Sequence, residues 1–206
     1  MSENHSFDNI TSENSFWKLY LQLRKVKSSK TNIAVFIFSL ILTFTSIYFT
    51  ENNIPILKEQ IYSISGNLIT WSVSLVGFVL AGYAIYATLA EKEMQVAMSI
   101  IQDDKTNLDF LKSTHCVFIK ICVDMLAIAF LIFILSSKPF IQFLDLFLLL
   151  NILNQEVYQL ILVLIFSLLH AMFILILMLT RSFIYNVYHS VMVAIRWHAE
   201  KDSEPN

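Results

Sequence analysis

Charge is scarce in this chain. Only 15% of its 206 residues are Asp, Glu, Lys or Arg, against about 25% in a typical soluble domain. That excludes an ordinary water-soluble globule. Glycine is scarcer still, with Gly66, Gly77 and Gly82 alone, so no phosphate-binding glycine loop exists. The two cysteines, Cys116 and Cys122, do not have a metal-site spacing, and as residues near the cytoplasmic face they are expected to be free thiols. Histidines 115, 189 and 198 form neither an HExxH nor an HxH pair, so no metal and no other cofactor is expected. The first thirty residues have no apolar core followed by a small-residue cleavage site, and no signal peptide is expected.

What remains is hydrophobic: 56% of the residues, including 17 phenylalanines. The composition predicts an all-α, polytopic membrane protein, a four-helix transmembrane bundle with interfacial and cytoplasmic helical extensions. Twelve of the fourteen Lys and Arg residues lie before the first apolar run, between the second and third, or after the fourth. Only Lys58 and Lys138 fall in the other two connections. By the positive-inside rule both termini are expected to be cytoplasmic.

Residues 1–30 are expected to form a cytoplasmic tail. Its first fourteen residues are polar enough to stay disordered, followed by a short interfacial helix with Phe16, Leu19, Tyr20 and Leu23 on one stripe. Phe16, Trp17 and Tyr20 suit the headgroup layer, and Arg24, Lys25 and Lys27 suit anionic lipid. Residues 31–180 hold the four spans, at 32–50, 66–90, 115–137 and 157–180. The connection between the first two is expected outside, with Pro55 ending any helical continuation there.

The second span is the organising element. Thr70, Ser74, Gly77, Ala81, Ala84 and Thr88 recur at alternating spacings of four and three, and Ser39, Thr43 and Ser46 repeat that spacing in the first span. Small faces let helices approach closely in lipid, so these two spans are expected to pack through them, or to pack on another subunit. The second helix is expected to continue past the membrane on the stripe Ala90, Met94, Ala97 or Met98 and Ile101, with Asp103 and Asp104 closing it. Leu108 and Leu111 then return toward the membrane. This loop, 91–114, is expected to cover the cytoplasmic end of its own bundle, to lie along the lipid, or to offer a docking surface to a partner protein.

Residues 139–155 are apolar but interrupted by Gln142 and Asp145, and too short for a span; an outer re-entrant or interfacial helix is expected. After the fourth span Ile184, Val187, Val191 and Ile195 keep a helical stripe through the cytoplasmic extension 181–206, a second docking candidate. Residues 199–206 read as a frayed tail.

Four polar residues stand at or within the spans. Asp124 costs several kcal/mol in lipid unless it pairs or reaches water; Lys120 one turn before it and Arg181 at the same boundary are its candidate partners. His170, near the middle of the fourth span, could pair with Asp124 or bond to a neighbouring helix. A single acid makes no proton relay, and no catalytic constellation stands out, so no enzyme activity is expected. The basic cluster at 24–30 abuts a span, which makes lipid a simpler partner than nucleic acid.

The run SVSLVGFVLAGYAIYATLAEKEMQVAM, Ser72–Met98, resembles the second-span region of small bacterial four-helix membrane proteins, the KwaA family of membrane subunits of the Kiwa anti-phage system. The gross plan of length, spans and topology resembles them as well. The resemblance implies a homo-oligomeric inner-membrane sensor or scaffold in antiviral defence that recruits a cytoplasmic effector protein. The alternative from the residues is a small ion channel or holin-like permeability factor lined by the small faces of the first two spans.

Overall fold

The computed structural model describes residues 13–50, 53–89, 91–104 and 106–203. Most of the polar leader, Ala90 and the last three residues thus lie outside the described residues. The fold is all-α apart from one minimal hairpin: helices α1 (Phe16–Leu23), α2 (Lys30–Thr50), α3 (Ile54–Leu89) and α4 (Lys92–Ile100), strands β1 (Gln102–Asp103) and β2 (Leu108–Asp109), then α5 (Phe110–Ser136), α6 (Lys138–Leu149) and α7 (Gln155–Ser203). The helices α2, α3, α5 and α7 are long and apolar enough to cross a membrane. At 1.5 Å per residue they measure roughly 32, 54, 40 and 74 Å, against a hydrocarbon core of about 30 Å.

Two compact units divide the chain. The first takes its residues from Met1–Lys27, Phe78–Val123 and Arg181–Asn206, the second from Ser28–Gly77 and Asp124–Thr180.

In the second unit Leu57, Ile61, Met125, Ile132, Ile141 and Leu162 are fully buried. Its buried hydroxyls are satisfied within their own helices: Ser72 donates to the Leu68 carbonyl, Ser136 to Ile132, Ser167 to Val163 and Thr180 to Ile176. Bonding four residues back removes the penalty of an unpaired buried donor.

Pro55 does not end a helix; it lies in the first turn of one. Its missing N–H is among the donors a helix start leaves unbonded anyway. Asn53 caps that turn, accepting from the Ile56 N–H at 3.4 Å through its side chain and from the Leu57 N–H at 3.0 Å through its carbonyl. The expected outer loop is therefore helical from Ile54 onward. Helix α6 follows a similar rule, with Ser137 as N-cap accepting from Phe140 N–H at 3.3 Å and proline in its first turn.

The small-residue stripe of α3 does not pack inside the chain. Thr70, Ser74, Gly77, Ala81, Ala84 and Thr88 are all exposed, while the other side of the helix carries the buried Leu57, Ile61, Leu68, Val76 and Val79. On α2, Ser39 and Thr43 are half-buried and Ser46 is exposed, and none of that helix's apolar window is buried. The expected packing of the first two spans through these faces is corrected accordingly: burial follows the large side chains, and the small face is left open.

The first unit corrects three further expectations. Helix α3 ends at Leu89, and Glu91, with φ −61° and ψ 148°, is the extended N-cap of a separate α4. The acidic pair does not close a helix; Asp103 lies in the hairpin, where its carboxylate accepts from Thr106 Oγ1 at 2.7 Å and Ser113 Oγ at 2.6 Å. Asn107, at φ 55°, makes the turn, a conformation Asn tolerates better than most residues. Residues 199–203 are not frayed, since α7 runs to Ser203.

Candidate functional site

The first unit holds a cleft of about 350 Å³ lined by residues of α1, α3, α4, α5 and the hairpin. Its apolar wall includes Leu19, Leu111, Cys116 and Ile119. Leu19 comes from the inner side of α1, which is seated by Leu23 on Leu108 and Cys116. The helix starts where it does because Ser15 caps it, accepting from the Lys18 N–H at 3.3 Å.

Two polar pairs complete the cleft. The Tyr83 hydroxyl and His115 Nδ1 lie 3.0 Å apart, within an aromatic group in which Tyr86 and Phe118 stand 4.7 Å centre to centre. Lys112 Nζ meets Glu13 Oε1 at 2.8 Å, with side chains only 17% and 12% exposed. Half-shielded from water, such a charge-assisted contact is stronger than a surface ion pair. Among the described residues no group of three or more His, Cys, Asp or Glu could hold a metal ion.

A smaller groove of about 180 Å³ lies between α4 and the C-terminal part of α7, lined by Tyr86, Met94, Val191, Ile195 and His198 among others. Two polar contacts flank it. Lys201 Nζ contacts Glu93 Oε2, and His198 Nδ1 lies 3.6 Å from Glu91 Oε1. The Lys201 contact holds the Glu93 carboxyl below its ordinary range.

The predicted docking residues separate into two groups. Met94, Met98 and Leu108 are buried, which corrects their reading as open docking positions: they are core of the first unit. Leu111 is half-buried and lines the larger cleft. Ile101 and Ile184 are exposed, whereas Val187 and Val191 are half-buried. The open stripe of α7 is Ile184, Tyr188, Met192 and Ile195, which keeps the first and last predicted positions and shifts the two between them by one residue. Tyr188 and Met192 take the places of Val187 and Val191, which turn toward the unit.

The lipid-facing residues of α1 are only partly as expected. Phe16, Trp17 and Leu21 are exposed, and Leu23 is fully buried, so the predicted stripe is divided between the two sides of the helix. Trp17 stacks on Tyr20 at 5.5 Å, and the Arg24 guanidinium lies 5.9 Å from the Tyr20 ring. Arg24, Lys25 and Lys27 are exposed beside them.

Of the polar residues in the spans, Lys120 is buried, Asp124 is half-buried and neither is without a partner. Arg181 is exposed. His170 bonds through Nδ1 to the Phe166 carbonyl of its own helix at 2.9 Å and stacks near the Phe166 ring, 4.4 Å centre to centre. That bond is made along its own helix, not to a neighbouring one.

A polar cluster in the second unit was not anticipated. Lys58 Nζ lies 2.7 Å from Asp145 Oδ1, and the hydroxyl of the fully buried Tyr158 donates to the same oxygen. Lys58 also lies 5.4 Å from the Tyr158 ring. Burial pushes the Asp145 carboxyl up, but the Lys58 and Tyr158 contacts outweigh it and leave it below the usual range. The signal available was one isolated lysine and one isolated aspartate, both in apolar surroundings and expected on the same side.

No family model, no curated protein and no solved structure matches this chain. The assignment to antiviral defence and to an inner membrane is corrected on this finding, because nothing in the comparisons supports either.

Proposed function

We propose that the chain is a non-enzymatic membrane scaffold. Helices α2, α3, α5 and α7 cross a bilayer, with both termini and most of the basic residues on one side of it. There α1 lies along the lipid headgroups with Phe16, Trp17 and Leu21 outward, and the C-terminal part of α7 takes a protein partner. The exposed small face of α3 is the seam for a second copy of the chain.

The length of α7 carries this reading. At roughly 74 Å it is more than twice the hydrocarbon thickness, and its last turns present Ile184, Tyr188, Met192 and Ile195 to the outside. Apolar side chains at i, i+4, i+8 and i+11 are the pattern by which one helix offers itself to another protein. Basic residues before α2 and after the apolar part of α7 support the shared side.

The test is co-purification in mild detergent with the products of adjacent genes, using Tyr188→Asp with Met192→Asp against the unaltered chain. Loss of a stoichiometric soluble partner, with membrane insertion and oligomer mass unchanged, supports the reading. A partner retained by the double variant overturns it for α7.

A further inference from the structure

The cleft of the first unit already binds an anion, its own Glu13 carboxylate. We propose that this seat receives the phosphate headgroup of an anionic lipid, and that Glu13 is a tethered occupant which the lipid displaces. The inference rests on the proposed position of α1 at the headgroup layer.

Two observations converge. Lys112 holds the Glu13 carboxylate at 2.8 Å in a largely shielded place, which is the contact a phosphate oxygen would take over. Tyr83 and His115 line the same cleft. When the Tyr83 hydroxyl donates to Nδ1, the imidazole proton sits on Nε2, a second donor for an anionic oxygen.

The wall argues for a ligand that carries an acyl chain rather than for free phosphate. Leu19, Leu111, Cys116 and Ile119 offer apolar surface beside the charged end, and α1, which supplies Leu19, turns Phe16 and Trp17 outward. Asp109 also lines the cleft and opposes an anion. It lowers the affinity of the seat without removing it, and its neutralisation strengthens binding.

An internal competitor reduces apparent affinity by the fraction of time it leaves the seat open. Removing the Glu13 charge therefore tightens lipid binding, the opposite of what deleting a structural ion pair would do.

The experiment uses the full chain in non-ionic detergent and water-soluble dihexanoyl phosphatidic acid, with dihexanoyl phosphatidylcholine and inorganic phosphate as controls, read by native mass spectrometry and titration. One phosphatidic acid is expected per chain. Glu13→Gln and Asp109→Asn should each bind it more tightly, Glu13→Gln by about tenfold. Lys112→Met should weaken it by at least about tenfold, Lys112→Arg should largely restore it, and Lys27→Met should leave it unchanged.

Equal losses in Lys112→Met and Lys27→Met would mean diffuse surface charge and overturn the proposal. So would weaker binding in Glu13→Gln, or inorganic phosphate binding as tightly as the lipid. Because the probe is water-soluble, its failure to bind is separable from failure of the membrane reading, which detergent-free solubility of the chain would reveal.

Discussion

Gly82 and Phe183 approach so closely that a methyl group on Gly82 would lie 2.7 Å from Cζ of the phenylalanine ring. Phe183 is only 2% exposed and is held by Phe78 and Phe118, with ring centres 6.4 and 5.6 Å away, so it has little room to retreat. Gly82→Ala should destabilise the first unit by about 1–3 kcal/mol, the usual cost of overpacking. At Gly77 an added methyl meets nothing within 4 Å, and Gly77→Ala should be neutral or slightly stabilising through helix propensity. Thermal unfolding in detergent checks both, and equal effects at the two sites would contradict the packing described.

Asp145 joins α6 to α3 and α7, and its removal should be felt mainly through Tyr158. Asp145→Ala leaves a buried phenolic hydroxyl without its acceptor, at about 1–3 kcal/mol. Asp145→Asn keeps an acceptor and should cost less, since the ion pair with the partly exposed Lys58 is worth at most about 1 kcal/mol. The folded carboxyl is held below its unfolded value. Its contribution is therefore full above about pH 4 and is lost as pH falls through the lower, folded value. The melting difference between the native chain and Asp145→Asn should shrink in that window.

Met94 and Met98 should behave as core residues. Each truncated to alanine should cost about 2–4 kcal/mol, whereas Ile101→Ala, at a position 58% exposed, should stay within about 0.5 kcal/mol. Equal and small effects at all three would restore the docking reading for the methionines.

The contact between Lys201 and Glu93 should guard the amides of α4. Lys201→Glu sets like charges against each other and should speed hydrogen exchange across Lys92–Ile100, and Glu93→Lys in the same chain should slow it again. The Glu93 carboxyl is lowered by its bond to Lys201, so the protection is present above the ordinary glutamate range and fades as pH falls below it.

Periodicity and length were enough to read four long apolar helices, because lipid-compatible segments announce themselves by uninterrupted hydrophobicity. They were not enough to place the helix ends. Pro55 looks like a terminator until Asn53 before it is seen as a cap, and the separation of α3 from α4 depends on the extended backbone of Glu91 amid good helix formers. The cleft was less accessible still. Lys112, Glu13, Tyr83 and His115 are brought together from across 103 residues of chain, and no local pattern links them. The small-residue stripe left its partner open, because spacing reports which residues share a face but not whether the chain itself covers that face.

The hydroxyls of that uncovered face carry their own answer to a solvent without hydrogen-bond partners. Thr70 donates to Gly66 O and Ser74 to Thr70 O, each at 2.9 Å, and Thr43 on α2 does the same to Ser39 O. With every one of these protons already committed, the helices can turn serine and threonine toward hydrocarbon at little cost. What reads in the sequence as a polar seam would be, to a surrounding oil, a row of methyl and methylene groups, and a copy of the chain settling on it would give up no bound water in doing so.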